Sequence, residues 1–202
     1  MPHGQRPAPR APEELAGLPV VSFATVPDCE AWFAEHGADQ RGIWLRIGRA
    51  GAAQTVTYAE ALEVALCHGW IDGQKRGYDE GHWLQRFTPR GPRSKWSQVN
   101  RDKAEALVEA GRMRPAGQAQ VDAAKADGRW AAAYAGQRSA TVPDDLAAAL
   151  AADPEAQAFF ETLSGANRYA ILYRVADAKR PQTRAARIAR FVAMCHDHET
   201  IH

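Results

Sequence analysis

The side chains best suited to chemistry lie between Gly69 and Arg101, where charged and polar residues alternate with tryptophans. Within that segment, FTPRGPRSKWSQVN carries arginines, serines and an asparagine directly ahead of a predicted helix. The first turn of a helix has unpaired backbone N–H groups and the positive end of the helix dipole, and both favour an anion. An arginine can hold a phosphate or a carboxylate through two parallel hydrogen bonds. The segment therefore predicts a small-anion site. In the alternative interpretation, Ser94 or Ser97 only caps the helix and the basic side chains lie in water.

Asp72 is the carboxylate that best suits such a site. It follows Trp70 and Ile71 at the start of a predicted strand, and it precedes Gly73, where a backbone can approach a ligand closely. Beside tryptophans it could act as a general base with a raised pKa, or it could form a structural salt bridge with an arginine such as Arg90. We expect Arg90 and the two serines to converge near Asp72. The predicted ligand-binding residues are Asp72, Arg90, Ser94, Trp96, Ser97 and Asn100.

Other reactive chemistries lack their sequence motifs. Zinc sites are usually announced by paired CxxC spacing, which does not occur. Cys67 and His68 are adjacent on a predicted helix, so their side chains diverge by about 100° and cannot form a nucleophile–base pair. The chain has no Walker loop, GxGxxG fingerprint or GxSxG elbow. The sequence predicts no metal site and no cofactor, and it contains no recognised catalytic motif.

The elements that would position these residues follow from the hydrophobic spacing. LPVVSFATV, beginning at Leu18, is rich in β-branched residues and predicts a strand, and GIWLRIG alternates in the manner of a second strand. A short helix is expected from Pro27 to Gly37. Thr57 and Glu60 have the spacing of a capping box and predict a helix that ends near Gly69.

The segment WIDGQKRGYDEGHWLQRFTPR predicts a β-hairpin. Its arms are Trp70–Arg76 and His82–Phe87, and residues 78–81 turn between them. We expect this hairpin to lie in one sheet with the strand Ile43–Ile47. The helix Thr57–Cys67 is expected to pack on one face of that sheet.

The second half of the chain is alanine-rich and predicts a run of helices. Pro115, Pro143, Pro154 and Pro181 each stand where a helix would begin, since proline is tolerated in a first turn. The predicted helices are Asn100–Ala110, Pro115–Asp127, Pro143–Ala152, Pro154–Leu163, Asn167–Lys179 and Pro181–Asp197.

The last of these helices has an apolar stripe and a basic stripe. The apolar residues recur at helical spacing and mark one buried face: Ile188, Phe191, Val192 and Cys195. The basic stripe consists of Arg180, Arg184, Arg187 and Arg190. We expect these arginines to pair with the acid-rich stretch Asp144–Glu161 rather than to bind nucleic acid.

Composition narrows the class of protein. The chain has 202 residues with 25 Lys and Arg against 24 Asp and Glu, so its total charge gives no general attraction to nucleic acid or to an anionic membrane. No apolar stretch approaches the ~18 to 20 residues of a membrane helix, and residues 1–17 lack a signal peptide's apolar region. The three cysteines are too few for a disulfide framework. These features predict a cytoplasmic protein.

The predicted fold class is α+β, with a small amino-terminal mixed or antiparallel sheet, packed helices and an all-helical carboxyl-terminal module. Residues 1–17 are expected to be a disordered tail because four prolines leave little to bury. Residues 18–136 form the predicted α+β domain with the GWIDGQ, FTPR and SxWSxxN motifs. Residues 140–202 form the helical module.

Three segments resemble the bacterial YdeI/OmpD-associated family, whose members are labelled bacteriocin-protection proteins. They are TYAEALEVALCHGWIDGQKRGYD, RFTPRGPRSKWSQVNRDKAEALVEAGRMRPAG and NRYAILYRVADAKRPQTRAARIARFVAM. The likeness runs from about Leu18 to His202, and the helices from about Val142 resemble the family's carboxyl-terminal module. The resemblance implies protection against bacteriocins and cationic antimicrobial peptides, association with an outer-membrane porin, and a shared site at the six residues named above.

Two functions remain open at this point. In the first, the protein is a ligand-binding or stress-protection protein without catalysis, and its hairpin and the SKWSQVN helix start bind a small anionic molecule. In the second, it is an enzyme of unassigned class that uses Asp72 as a base and Arg90 as an anion clamp. A protein–protein adaptor that uses the basic last helix is a third possibility. The sequence names no ligand, no partner and no oligomeric state.

Overall fold

A computed structural model of the chain describes residues 14–52 and 54–202, and this part contains one five-stranded sheet and eight α-helices. The order of the strands across the sheet is β1-β2-β3-β5-β4. β2 and β3 are parallel and the other neighbours are antiparallel, so the sheet is mixed and the predicted α+β class is confirmed. The strands are β1 (Glu14–Leu15), β2 (Leu18–Val21), β3 (Ile43–Gly48), β4 (Trp70–Gly77) and β5 (His82–Pro89).

The helices begin and end within three residues of their predicted limits, and the largest difference is at the end of the seventh helix. Proline stands in the first turn of three of the four helices that it was expected to begin, and Pro143 directly precedes the other. The helices are α1 (Val26–His36), α2 (Tyr58–Cys67), α3 (Gln98–Glu109), α4 (Pro115–Ala126), α5 (Asp144–Ala151), α6 (Pro154–Thr162), α7 (Gly165–Ala176) and α8 (Pro181–His196).

The first strand lies within the segment that the sequence assigns to a disordered tail. Residues 1–13 of the predicted tail lie outside the described residues, but Glu14 and Leu15 form β1 and pair with β2. The indole Nε1 of Trp44 donates a hydrogen bond to the Leu15 carbonyl over 3.1 Å, which ties this short strand to β3. A strand of two residues is too short to show an alternation of apolar and polar residues, so the hydrophobic pattern of the sequence does not predict β1.

The predicted hairpin is confirmed, and it lies in the same sheet as β3, which pairs with β5. α2 packs against β4 and against α1. Trp70, at the start of β4, meets the Phe33 ring edge to face with centroids 5.1 Å apart, and its indole donates to the Gly37 carbonyl. These contacts anchor the first arm of the hairpin in the core.

The predicted capping box at the start of α2 is also confirmed. The Thr57 hydroxyl accepts from the Glu60 amide, and the Glu60 carboxylate accepts from the Thr57 amide over 2.8 Å. The chain then turns from α2 into β4 through Gly69, whose φ of +77° lies in the left-handed region. Local signals thus fix both ends of the α2 segment.

The contacts divide the chain into two compact units. The first comprises the described residues up to Ser94 together with Asp102–Trp130, and the second comprises Lys95–Arg101 together with Ala131–His202. The core of the second unit lies among α5, α6, α7 and α8 and includes Leu146, Phe160 and Ile171. No helix within residues 14–52 and 54–202 is both long and apolar enough to cross a membrane.

The two stripes of α8 are largely as predicted. Ile188, Phe191 and Cys195 are buried and Val192 is partly buried, which confirms the apolar face. Arg184 makes a two-pronged ion pair with Asp145 at 2.5 and 2.8 Å, as expected for the acid-rich stretch.

Arg187 instead pairs with Asp177 at the end of α7, with 3.8 Å between the charged atoms, and its guanidinium also donates to the Arg174 carbonyl. Its pairing with the acid-rich stretch was therefore predicted wrongly, because α7 also contacts α8 and its last turn supplies a carboxylate and a free carbonyl.

Candidate functional site

A β-bulge interrupts the hairpin within the GWIDGQ motif. Asp72 lies opposite Phe87, but Lys75 lies opposite Gln85, so the pairing shifts between these two points. The two intervening residues, Gly73 and Gln74, therefore face one residue of β5, which is Arg86. A bulge re-aims side chains in this way, and bulges are enriched beside functional sites.

Gln85 holds the bulge in place from the other strand. Its side chain is buried, and its amide Nε2 donates to the Gly73 carbonyl over 2.9 Å and to the Gln74 carbonyl over 3.3 Å. A buried amide without partners would cost free energy, whereas this one is hydrogen-bonded to carbonyls of the bulged residues. The sequence reasoning missed Gln85. The sequence did contain a signal for Gln85, because it is a polar residue at an inward-facing position between Trp83 and Phe87.

The bulge creates a shallow depression of about 320 Å³ lined by Gly73, Gln74, Arg86 and Thr88. Arg86 lies across it and donates from Nη1 to the Gln74 side-chain oxygen over 3.1 Å. Its Nε is buried without a hydrogen-bond partner, and no carboxylate within the described ranges forms an ion pair with it. A guanidinium with only a neutral partner, beside a hydroxyl and a residue without a side chain, is suited to holding a small anion.

Asp72 and Arg90 both lie between the bulge and the open end of the hairpin. The Asp72 carboxylate directly precedes the bulge and accepts a hydrogen bond of 2.9 Å from the Tyr58 hydroxyl at the start of α2. Arg90 is buried, and its amide donates to the Gly69 carbonyl, which extends the pairing of the two arms by one residue. Both residues thus contribute to holding the hairpin in register.

The serines of the predicted site have local structural roles. Ser94 accepts the Gly91 amide over 3.0 Å and closes a turn ahead of α3. Ser97 accepts the Asn100 amide over 3.1 Å and caps the first turn of α3, which was the alternative interpretation of this residue. Trp96 and Asn100 are both buried.

The six predicted residues are divided between the two units. Asp72, Arg90 and Ser94 belong to the first unit, and the structure brings Asp72 and Arg90 to the same hairpin. Ser97 and Asn100 meet in one turn of α3 in the second unit, to which Trp96 also belongs. The convergence of all six at one site stays a prediction.

The three cysteines are poorly suited to act as nucleophiles, because their thiols are buried and stay protonated. Burial raises the pKa of the Cys29 thiol to about 12, and burial also raises the pKa values of Cys67 and Cys195. Within the part of the chain that the structure describes, no group of three or more His, Cys, Asp or Glu side chains could hold a metal ion.

The described residues form an α+β fold with a β-bulge in its hairpin, and the helices α5 to α8 belong to the second unit. Residues 139–198 match the family described as "Bacteriocin-protection, YdeI or OmpD-Associated", and residues 21–120 match a domain of unknown function (DUF8412). The resemblance to the first family is thus shown for the helical module, whereas the motif-bearing segments before it match a different model. Neither a curated protein nor a solved structure gives a significant match to the chain.

Proposed function

We propose that this protein binds a small anionic ligand without catalysing a reaction, and that the bulged hairpin is its site in the first unit. Arg86 supplies the charge, Gln74 and Thr88 supply hydrogen-bonding groups, and Gly73 leaves the floor of the depression open. The description of the family matched by residues 139–198 supports a role in stress protection, against bacteriocins in particular.

The observation that carries the proposal is the position of Arg86. Its guanidinium lies in a depression of about 320 Å³, which is at the small end of the range for ligand sites. It has an amide oxygen as a partner and no carboxylate within the described residues. An anion in the depression would supply the missing charge.

The residues predicted from the sequence complete the proposal. Asp72 and Arg90 act as positioning residues, because their contacts hold the open end of the hairpin next to the bulge. Ser94, Trp96, Ser97 and Asn100 stay candidates for ligand contact. A cytoplasmic location belongs to the same proposal, and it is supported by three cysteines that are all buried and free.

This function is tested by an NMR titration with inorganic phosphate in which the amide resonance of Gly73 is monitored. Arg86→Gln should weaken binding about tenfold, because hydrogen bonds from charged groups contribute more than neutral ones. Gly73→Ala should also weaken binding, since the new methyl group would occupy the floor of the depression. That methyl group would meet Cβ of Arg86 at 3.7 Å, an ordinary contact, so this variant should fold normally.

Lys75→Gln is the matched control. It removes one positive charge from the same strand, but the Lys75 ammonium lies over the Trp83 ring at 4.1 Å, on the opposite face from Arg86. Phosphate affinity should be unchanged in this variant. The proposal fails if the Gly73 resonance does not respond to phosphate, or if Lys75→Gln weakens binding as much as Arg86→Gln.

A further inference from the structure

A second and larger cleft lies wholly within the second unit. Its volume is about 560 Å³, within the range of sites for small organic ligands. The loop 136–140 forms one wall and the first two turns of α7 form another. The side chains that decide its chemistry are Val99, Gln137, Arg138, Arg168, Tyr169 and Leu172.

Positive charge in this cleft lacks a compensating carboxylate. Arg168 donates from Nη2 to the carbonyls of Phe160 and Glu161, over 3.3 and 3.2 Å, and its Nε is buried without a hydrogen bond. Neither Arg168 nor Arg138 forms an ion pair within the described part of the chain. The Arg168 guanidinium also lies over the Phe160 ring, 5.0 Å from its centroid. A partly buried cation whose partners are carbonyls and a ring face has lost hydration without gaining a full counter-charge, and an anion at the cleft would provide one.

The cleft also has an apolar wall. Val99 is 52% exposed, which is unusual for a large aliphatic side chain on a helix, and Leu172 is buried beside it in the lining. The Tyr169 hydroxyl donates to the Ala135 carbonyl over 3.0 Å, so its ring is held in one position. A fixed aromatic ring and two aliphatic side chains offer contact area to an apolar group rather than to water.

The Gln137 side chain reaches from the loop 136–140 to the start of α7, which form the two walls of the cleft. Its side-chain nitrogen lies over Gly165 at the start of α7, so close that a side chain at Gly165 would displace it. This amide can donate to an anion between the arginines, next to a helix end that also favours negative charge.

From the charge and the apolar wall together, we propose that this cleft binds a small organic anion in which a carboxylate or phosphate group is attached to an apolar or aromatic group. Arg138 and Arg168 hold the anionic group, and Val99, Tyr169 and Leu172 contact the apolar group. The site shares no residue with the hairpin depression, so it goes beyond the function proposed above and does not depend on it.

Isothermal titration calorimetry with phenyl phosphate tests the proposal, with benzoate, inorganic phosphate and phenol as comparison probes. Phenyl phosphate or benzoate should bind the wild-type chain. Phenol should bind at least tenfold more weakly, because it lacks the charge that two arginines would compensate. Inorganic phosphate should also bind more weakly at this site, because it buries no apolar surface.

Arg168→Gln and Arg138→Gln should each weaken phenyl phosphate binding about tenfold. Arg168 also contacts two backbone carbonyls, so its variant could be less stable, whereas Arg138 is exposed and its variant should fold as the wild type does. Arg190→Gln is the matched control, since Arg190 is an exposed arginine of the same unit that lies outside the cleft. The affinity of the Arg190→Gln variant for phenyl phosphate should equal that of the wild type.

The amide resonances of glycines separate this site from the hairpin. Phenyl phosphate should shift Gly136 and Gly165, which line the cleft, in a chain that carries Arg86→Gln. The proposal is overturned if no organic anion binds, if only Gly73 responds, or if Arg190→Gln weakens binding as much as Arg138→Gln. It is also overturned if inorganic phosphate binds the cleft as tightly as phenyl phosphate.

Discussion

Single polar side chains cap the starts of several helices, and one of them also links two helices. A side-chain oxygen accepts a backbone amide in the first turn at Thr25, Thr57, Asp153 and Ser164. Such caps typically contribute about 1 kcal/mol each. Asp153 caps α6 and in addition lies 3.0 Å from Nδ1 of His196 in the last turn of α8. This carboxylate therefore connects the start of one helix to the end of another.

The Asp153–His196 pair should make stability depend on pH. The hydrogen bond and charge of Asp153 raise the pKa of His196 above its ordinary value of 6.5, and Asp197 and Glu155 act in the same direction. A raised histidine pKa contributes stability that is fully present below pH 6.5 and is lost as the pH rises through the folded-state pKa. The destabilisation caused by His196→Gln should therefore be largest near pH 5.5 and smaller at pH 8.5, as measured by urea unfolding.

The pKa of Asp153 sets the lower limit of the pH range in which the Asp153–His196 pair stabilises the protein. The Ala156 amide and His196 lower the pKa of Asp153 below its ordinary value of 3.8, so its contribution appears above that pH and is lost as the pH falls further. A proton NMR titration should give a His196 pKa above 6.5 that returns towards that value in Asp153→Asn. A destabilisation by His196→Gln that is the same at pH 5.5 and pH 8.5 would show that the pair contributes nothing.

At the scale of elements, the turn from α2 into β4 sets the position of the whole hairpin. Gly69 has a φ of +77°, and a Cβ atom there would lie 2.8 Å from the Ala116 carbonyl oxygen at the start of α4. The absence of a side chain thus allows both the left-handed turn and the close approach of α4. This residue therefore contributes to positioning the hairpin and α4 relative to α2.

Gly69→Ala should destabilise the protein by about 2 kcal/mol or more, because it adds left-handed strain and a clash with Ala116. Gly111→Ala is the control, since Gly111 also has a positive φ, +67°, but a Cβ there would meet nothing within 4 Å. Gly111→Ala should lower the free energy of unfolding by about 1 kcal/mol, because it adds only the strain of the left-handed conformation. Chemical denaturation of both variants measures the difference. Equal losses would mean that close packing of α4 does not constrain this turn.

The sequence predicted most elements because their signals are local. Thr57 with Glu60 marks the start of α2, and the prolines mark the helices of the second half. The bulge at Gly73 could not be predicted, because a one-residue shift becomes visible only when both strands are aligned. For the same reason the sequence singled out Asp72 and Arg90 but passed over two residues of β5. These are Arg86, which lines the depression, and Gln85, whose amide holds the carbonyls of the bulge.

At the scale of the whole molecule, charge is balanced in total but arranged in local pairs. The chain carries 25 basic and 24 acidic residues, and the two central arginines of the α8 stripe are both engaged. Arg184 is paired with Asp145, and Arg187 is paired with Asp177. Exposed pairs of this kind contribute little to stability because water and salt screen their charges, so their main effect is to orient α8 and to neutralise these two arginines.

This neutralisation leads to a prediction about nucleic acid. A DNA-binding stripe would present unpaired arginines, and its affinity would fall steeply with salt as counterions are released. Because Arg184 and Arg187 already have carboxylate partners, we expect only weak binding of labelled duplex or single-stranded DNA at low salt, with a dissociation constant above about 100 μM. Fluorescence anisotropy at 50 and 200 mM NaCl measures this. Micromolar binding that disappears in Arg184→Gln/Arg187→Gln but persists in Arg138→Gln would instead show that the stripe exchanges its intramolecular partners for phosphates.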